Sequence, residues 1–198
     1  MADARGQAHT LEGVVAALLV LTSVVLALQM TAVTPLTAST ANQHVQSQER
    51  AAARGVLEAT SGASLRRTVR YWDPSQGSLP NAGSGGYYVG TGPTNLEPLR
   101  RLNETFAGRG VSYNVRLVYF DGPNGQRRTR RFLYSGAPTV NAVEVTRTVT
   151  LYDDDRLVGP GGPTGTTLEN ASSYVVPDAA PNSTLYNTVT VEVVVWRM

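Results

Sequence analysis

Few residues in this chain have types and spacing that could do chemistry, and most fail on inspection. The two histidines are His9 and His44, so no imidazole follows residue 44 and a Ser-His-Asp relay in the C-terminal part has no base. Cysteine is absent, which removes disulfides, thiolate metal sites and cysteine nucleophiles. Asp153, Asp154 and Asp155 are adjacent acids of the kind that help ligate Ca²⁺, but they lack the spacing of an EF-hand and read as a solvated turn between strands. Asp153, Glu169 and Asp178 could supply a carboxylate pair, though no spacing singles one out. The glycine-rich stretch VGPGGPTGTT lacks the Gly-Lys-Ser/Thr ending of a phosphate loop. We therefore expect no enzyme: no catalytic residue, no cofactor, no metal site, and no small-molecule substrate.

Glu12 is different. It stands directly before an uncharged apolar run, Gly13 to Val33. As a helix these residues rise roughly 31 Å, close to the roughly 30 Å hydrocarbon core of a bilayer. Eleven of the positions are Leu or Val, contributing roughly −3 to −7 kcal/mol on an insertion scale. That outweighs the modest costs of Thr22, Ser23, Gln29 and Thr31. A core helix of a soluble protein is seldom this long and apolar. A cleaved secretory signal is a second reading, with Arg5 as its basic flank, Ala27 and Ala32 near a cut, and a mature chain starting near Val33. A retained membrane helix is the third. Arg5 precedes the run and the large polar portion follows it, so the positive-inside bias places the N-terminus in the cytoplasm and the remainder outside.

The stretch RGQAHTLEGVVAALLVL resembles the N-terminus of archaeal type IV pilin-like prepilins, including those with class III signal peptides. Arg5, Gly6, Gln7, Thr10, Leu11 and Glu12 carry the likeness, and the layout is similar to pilin-like membrane proteins of haloarchaea. The resemblance implies leader cleavage between Gly6 and Gln7 by a prepilin peptidase, with the helix retained. It also implies that Glu12 pairs with the new N-terminal amine of a neighbouring subunit during assembly. Cleavage there makes Glu12 the sixth mature residue, one later than the family's usual fifth. The residues alone leave a plainer role open, a carboxylate at interface depth favoured by the helix dipole. His9 reads as a polar flank, and His44 is given no role.

The elements that must position these residues follow along the chain. Pro35 predicts a kink or break. Residues 35–62 read as a polar stalk helix, with Ala41, Val45, Ala52 and Val56 at helical spacing and Gly62 as a stop signal. From about Arg66 the pattern turns to alternating β segments. VSYNVRLVYF and RRFLYSG flank DGPNGQ, a hairpin signal because Asn-Gly supplies positive φ. VNAVEVTRTVTLY and NTVTVEVVVW alternate in the same way, VGPGGPTGTT reads as a flexible loop, and GSGGYYVGTGP as a loop with one short strand. Arg127, Arg128, Arg130 and Arg131 could form a patch for anionic glycans or DNA. Along one strand, however, they divide between faces, as on a charge-protected edge. Sequons at Asn103, Asn170 and Asn182 are candidate N-glycosylation sites beyond the run.

The fold class expected is α+β: a long N-terminal transmembrane and stalk helix followed by a mainly antiparallel β head. The divisions are 1–12 leader and flank, 13–34 transmembrane helix, 35–62 stalk and 63–198 extracellular β-rich domain. The function expected is a membrane-anchored, pilin-like surface subunit, with the membrane, other pilin-like subunits and a prepilin peptidase as partners and no nucleic acid. The alternative is a single-pass cell-envelope binding protein that does not assemble.

Overall fold

The computed structural model describes residues 3–123 and 125–198, with side chains described for 9–29, 42–123 and 125–198. The chain is α+β, with an N-terminal apolar helix and a mixed, mainly antiparallel sheet. It divides into two compact units, Met1–Val45 and Gln46–Met198.

Helix α1 runs Asp3–Ala59. It passes through Pro35, where the sequence predicts a kink or break; the helix does not end there. Its final turns belong to the second unit, where Glu49, Ala53, Val56, Leu57 and Thr60 are buried at 3.6-residue spacing. The end of α1 is fixed from outside the helix. Arg147 donates through Nη1 to the carbonyls of Leu57 and Thr60, taking up acceptors that a helix C-terminus leaves unpaired. Gly62 is therefore not the stop: α1 ends at Ala59, and Gly62 opens a second helix, α2 (Gly62–Val69). The Ser61 hydroxyl caps α2 by accepting the Ser64 N–H at 3.1 Å.

Residues between α2 and the first long strand keep the loop with one short strand read in GSGGYYVGTGP, but where the pattern from about Arg66 suggests further β segments they form a helix. They hold loops, the two-residue strand β1 (Tyr88–Val89) and a third helix, α3 (Glu97–Phe106). Pro98 sits in the first turn of α3, Glu97 pairs with Arg101 one turn on at 2.8 Å, and Leu99, Leu102 and Phe106 turn inward.

The main sheet comprises β2 (Val111–Phe120), β3 (Arg127–Tyr134), β4 (Val143–Tyr152) and β7 (Leu185–Arg197), in the order β1-β3-β2-β7-β4. β1 joins β3 in parallel at Leu133 and Tyr134, which makes the sheet mixed. Phe120 faces Arg127 across the β2–β3 connection, so the predicted hairpin forms; Gly125 has φ of 71°, and Asn124 lies outside the described residues. Strand β7 lies between β2 and β4, with Val189, Val191, Val193 and Val195 buried on the core face and Thr188, Thr190 and Glu192 half-buried on the other. On one face Val115, Leu117, Val145, Leu151, Val189, Val191 and Val193 join one core with Leu57, Leu65, Val69, Trp72, Leu99 and Phe106. Two buried amides tie loops to that sheet. Asn187 donates to the carbonyls of Phe120 and Pro177, both at 2.8 Å; Asn114 donates to Gly136 O at 2.9 Å and accepts the Ser135 N–H at 2.7 Å.

VGPGGPTGTT is not a flexible loop. It forms most of a hairpin, β5 (Arg156–Gly159) against β6 (Gly162–Thr167), turning at Pro160 and Gly161. Leu157 and Val158 anchor it in the core, and the Val158 backbone bonds both Arg70 O and Trp72 N at 2.9 Å.

Candidate functional site

The strongest candidate is the apolar segment of α1. His9–Gln29 is long and apolar enough to cross a membrane, and none of it is buried. Leu18 is 57% exposed, Leu19 66% and Leu28 64%. An apolar surface this extensive is not left to water by a stable monomer. Two polar residues inside the run turn their hydroxyls onto the helix's own carbonyls. Thr22 Oγ1 donates to Leu18 O at 2.9 Å and lies 3.0 Å from Leu19 O, and Ser23 Oγ donates to Val20 O at 2.8 Å. Each hydroxyl is satisfied within the helix, which is what hydrocarbon demands of it.

Glu12 lies at the margin of an apolar strip formed by Leu11, Val15, Ala16 and Leu19. Its carboxylate is 81% exposed, with His9 Nδ1 at 3.8 Å one turn back. The imidazole is thus near enough to pair with the carboxylate when it carries a proton, a neighbour that sequence reading, which left His9 as a flank, did not assign. Gly6 and Gln7 lie within α1, but their side chains are outside those described.

The remaining candidates take structural places. The three adjacent acids form the β4–β5 turn. Asp155 pairs with Arg70 at 3.0 Å and accepts the Tyr152 N–H at 3.0 Å, so it closes the turn. Asp153 comes near Asp178 and Glu169, and its pKa is pushed up by burial first and then by these carboxylates and Asp154. Its Oδ1 is buried with no hydrogen-bond partner. Among the described residues no group of three or more His, Cys, Asp or Glu side chains is arranged to hold a metal ion.

The arginines of β3 do divide between faces. Arg130 lies opposite Leu117 and stacks 5.1 Å over Trp72, whereas Arg131 lies opposite Arg116 and stacks on Tyr134 at 4.5 Å. Such engaged guanidinium groups do not form one basic patch. Of the sequons, Asn182 is exposed in a turn. Asn170 is exposed too and donates to Thr167 Oγ1 at 2.8 Å, while Asn103 is half-buried within α3.

A family model described as a family of unknown function (DUF7288) matches residues 5–195. The chain belongs to the DUF7288 family. The match takes in the apolar run as well as the sheet, so both are part of what defines the DUF7288 pattern over this chain. No curated protein and no solved structure matches it.

Proposed function

We propose that this DUF7288 protein is a membrane-anchored, pilin-like cell-surface subunit. Its apolar helix is retained in the bilayer and packs with other helices of its kind, and its sheet domain lies outside the cell. One observation carries the reading: His9–Gln29 is wholly uncovered, while the far end of the same helix is built into a folded core. Glu12 at the edge of the strip Leu11, Val15, Ala16 and Leu19 supports an assembly role. A carboxylate drawn between apolar helices needs a cation, and an N-terminal amine freed by cleavage between Gly6 and Gln7 would supply one.

The second reading is a single-pass envelope protein that never assembles. The His9–Glu12 contact favours it, because it gives the carboxylate a partner within its own helix. Mass analysis of the N-terminus of the protein isolated from membranes decides among the possibilities. A chain starting at Gln7 supports the pilin-like subunit, and a start at Met1 or Ala2 supports the simple anchor. A start near Val33 overturns both.

A further inference from the structure

The two edges of the five-stranded sheet are unlike. On one side, β3 is covered at Leu133 and Tyr134 by β1, and its open part carries Arg127, Arg128, Arg130 and Arg131. That is how natural sheets block edge-to-edge pairing. On the other side, no strand lies beyond β4 among the described residues, and the end of α1 borders it at Arg54, Leu57 and Glu58. Among the described residues, Val143 to Leu151 make no backbone hydrogen bond outside the β7 ladder. β4 holds no Pro and no Gly. The one irregularity of the ladder falls on β7, where Tyr186 is the extra residue, so β4 alternates regularly throughout. Its single arginine, Arg147, is turned onto the last carbonyls of α1 and does not guard the edge.

We propose that β4 is a self-pairing edge: two copies join their β4 strands antiparallel about a two-fold axis at Thr148, giving one continuous ten-stranded sheet. The occupant follows from the charges. If the cores of both copies lie on the same side, opposed residues share a face, so the register shifts in steps of two. Centring on Arg147 would leave Glu144 facing Thr150, and centring on Thr146 would leave it facing Thr148. Centring on Thr148 sets Thr148 against itself, Thr146 against Thr150 and Arg147 against Val149. It also sets Glu144 against Tyr152. The Arg66 guanidinium lies 5.5 Å over the Tyr152 ring, and Arg66 makes no ion pair among the described residues. Glu144 makes no ion pair among the described residues and shares its face with Glu192. The two-fold therefore brings each unpaired Glu144 to an incompletely paired Arg66, twice. Threonines opposed on an antiparallel pair are favourable partners.

The inference goes beyond anchoring and does not rest on it, because it concerns residues of the second unit alone. The chain has no cysteine, so single introduced thiols report cleanly. Opposed residues lie about 4.5–5.5 Å apart at Cα, within disulfide range. In the full chain purified in detergent, Thr148→Cys should oxidise to a disulfide dimer at least tenfold more than Thr129→Cys on the opposite edge. Thr146→Cys and Thr150→Cys should each crosslink poorly alone and well when mixed. Glu144→Arg, added to Thr148→Cys, should lower the crosslinked fraction at least fivefold with the thermal melt of the head unchanged. Equal crosslinking of Thr148→Cys and Thr129→Cys, or a mixture no better than its components, overturns the proposal. Failure of the N-terminal cleavage test leaves these results untouched.

Discussion

Arg147 does two jobs that a surface residue of an edge strand does not usually do. Its side chain crosses from β4 to the end of α1 and donates to Leu57 O and Thr60 O, and α1 has no basic residue of its own in its last turn. Charge-assisted bonds of this kind contribute about 1.5–3 kcal/mol each in partly buried settings. Arg147→Met keeps the apolar stem and removes both bonds, so it should cost about 3 kcal/mol or more. Chemical denaturation of the full chain in detergent measures it. Asp153 works in the opposite sense. Burial and the carboxylates of Asp178 and Glu169 raise its pKa in the folded chain. From about pH 4 upward, the unfolded chain has released a proton that the folded chain still holds. Stability therefore falls as pH rises through that window, and the ionised group carries a penalty at neutral pH. Asp153→Asn should raise the melting temperature at pH 7 and flatten its decline between pH 4 and 7. An unchanged slope would show that the carboxylate is already relieved in solution.

At the scale of elements, the chain's patterning was readable where one periodicity ran long. The apolar run, the β2–β3 hairpin and the alternating strands β4 and β7 follow from hydrophobic spacing and turn chemistry. The helices α2 and α3 were missed for a physical reason. Each is short, and Gly62 reads as a stop signal, yet it stands at the N-terminus of α2, as Pro98 stands in the first turn of α3, where such residues are tolerated. The hairpin in VGPGGPTGTT was hidden by its glycines, because its stability comes from Leu157 and Val158 in the core and not from its own propensity. At the candidate site, Glu12 was legible from its isolation before the run, but its His9 contact was not, since helical i, i+3 neighbours are known only once the helix is. Gly92 is a position where α3 packing constrains a loop. It has φ of +67°, and an added Cβ would lie 2.9 Å from Leu99 Cδ1 and 3.0 Å from Leu133 Cδ1. Gly92→Ala combines left-handed strain with overpacking and should cost about 2–4 kcal/mol, read as a lower melting temperature.

For the whole molecule, processing and assembly make separable demands on the two ends of the leader-proximal sequence. If the protein assembles as proposed, cleavage depends on Gly6, while helix association depends on the Glu12 carboxylate in surroundings where low dielectric strengthens its attraction to an amine. Gly6→Val should therefore leave the chain membrane-bound but uncut, with no N-terminus at Gln7 by mass. Glu12→Gln should be inserted and cut like the parent, since removing a charge at the bilayer edge does not oppose insertion. Its recovery in multimers held by the helices, read by crosslinking between introduced residues of the apolar run in intact membranes, should fall at least tenfold. The strip Leu11, Val15, Ala16 and Leu19 remains in that variant, so a loss would belong to the carboxylate and not to apolar packing. His9→Ala supplies the opposing measurement, because it removes the intrahelical partner seen at 3.8 Å. Under the assembling reading it leaves multimers intact or increases them, by freeing Glu12 for its neighbour. If Glu12→Gln multimerises through its helices as well as the parent, the carboxylate serves only to start its own helix, and the pairing of Glu12 with a neighbour's amine is overturned.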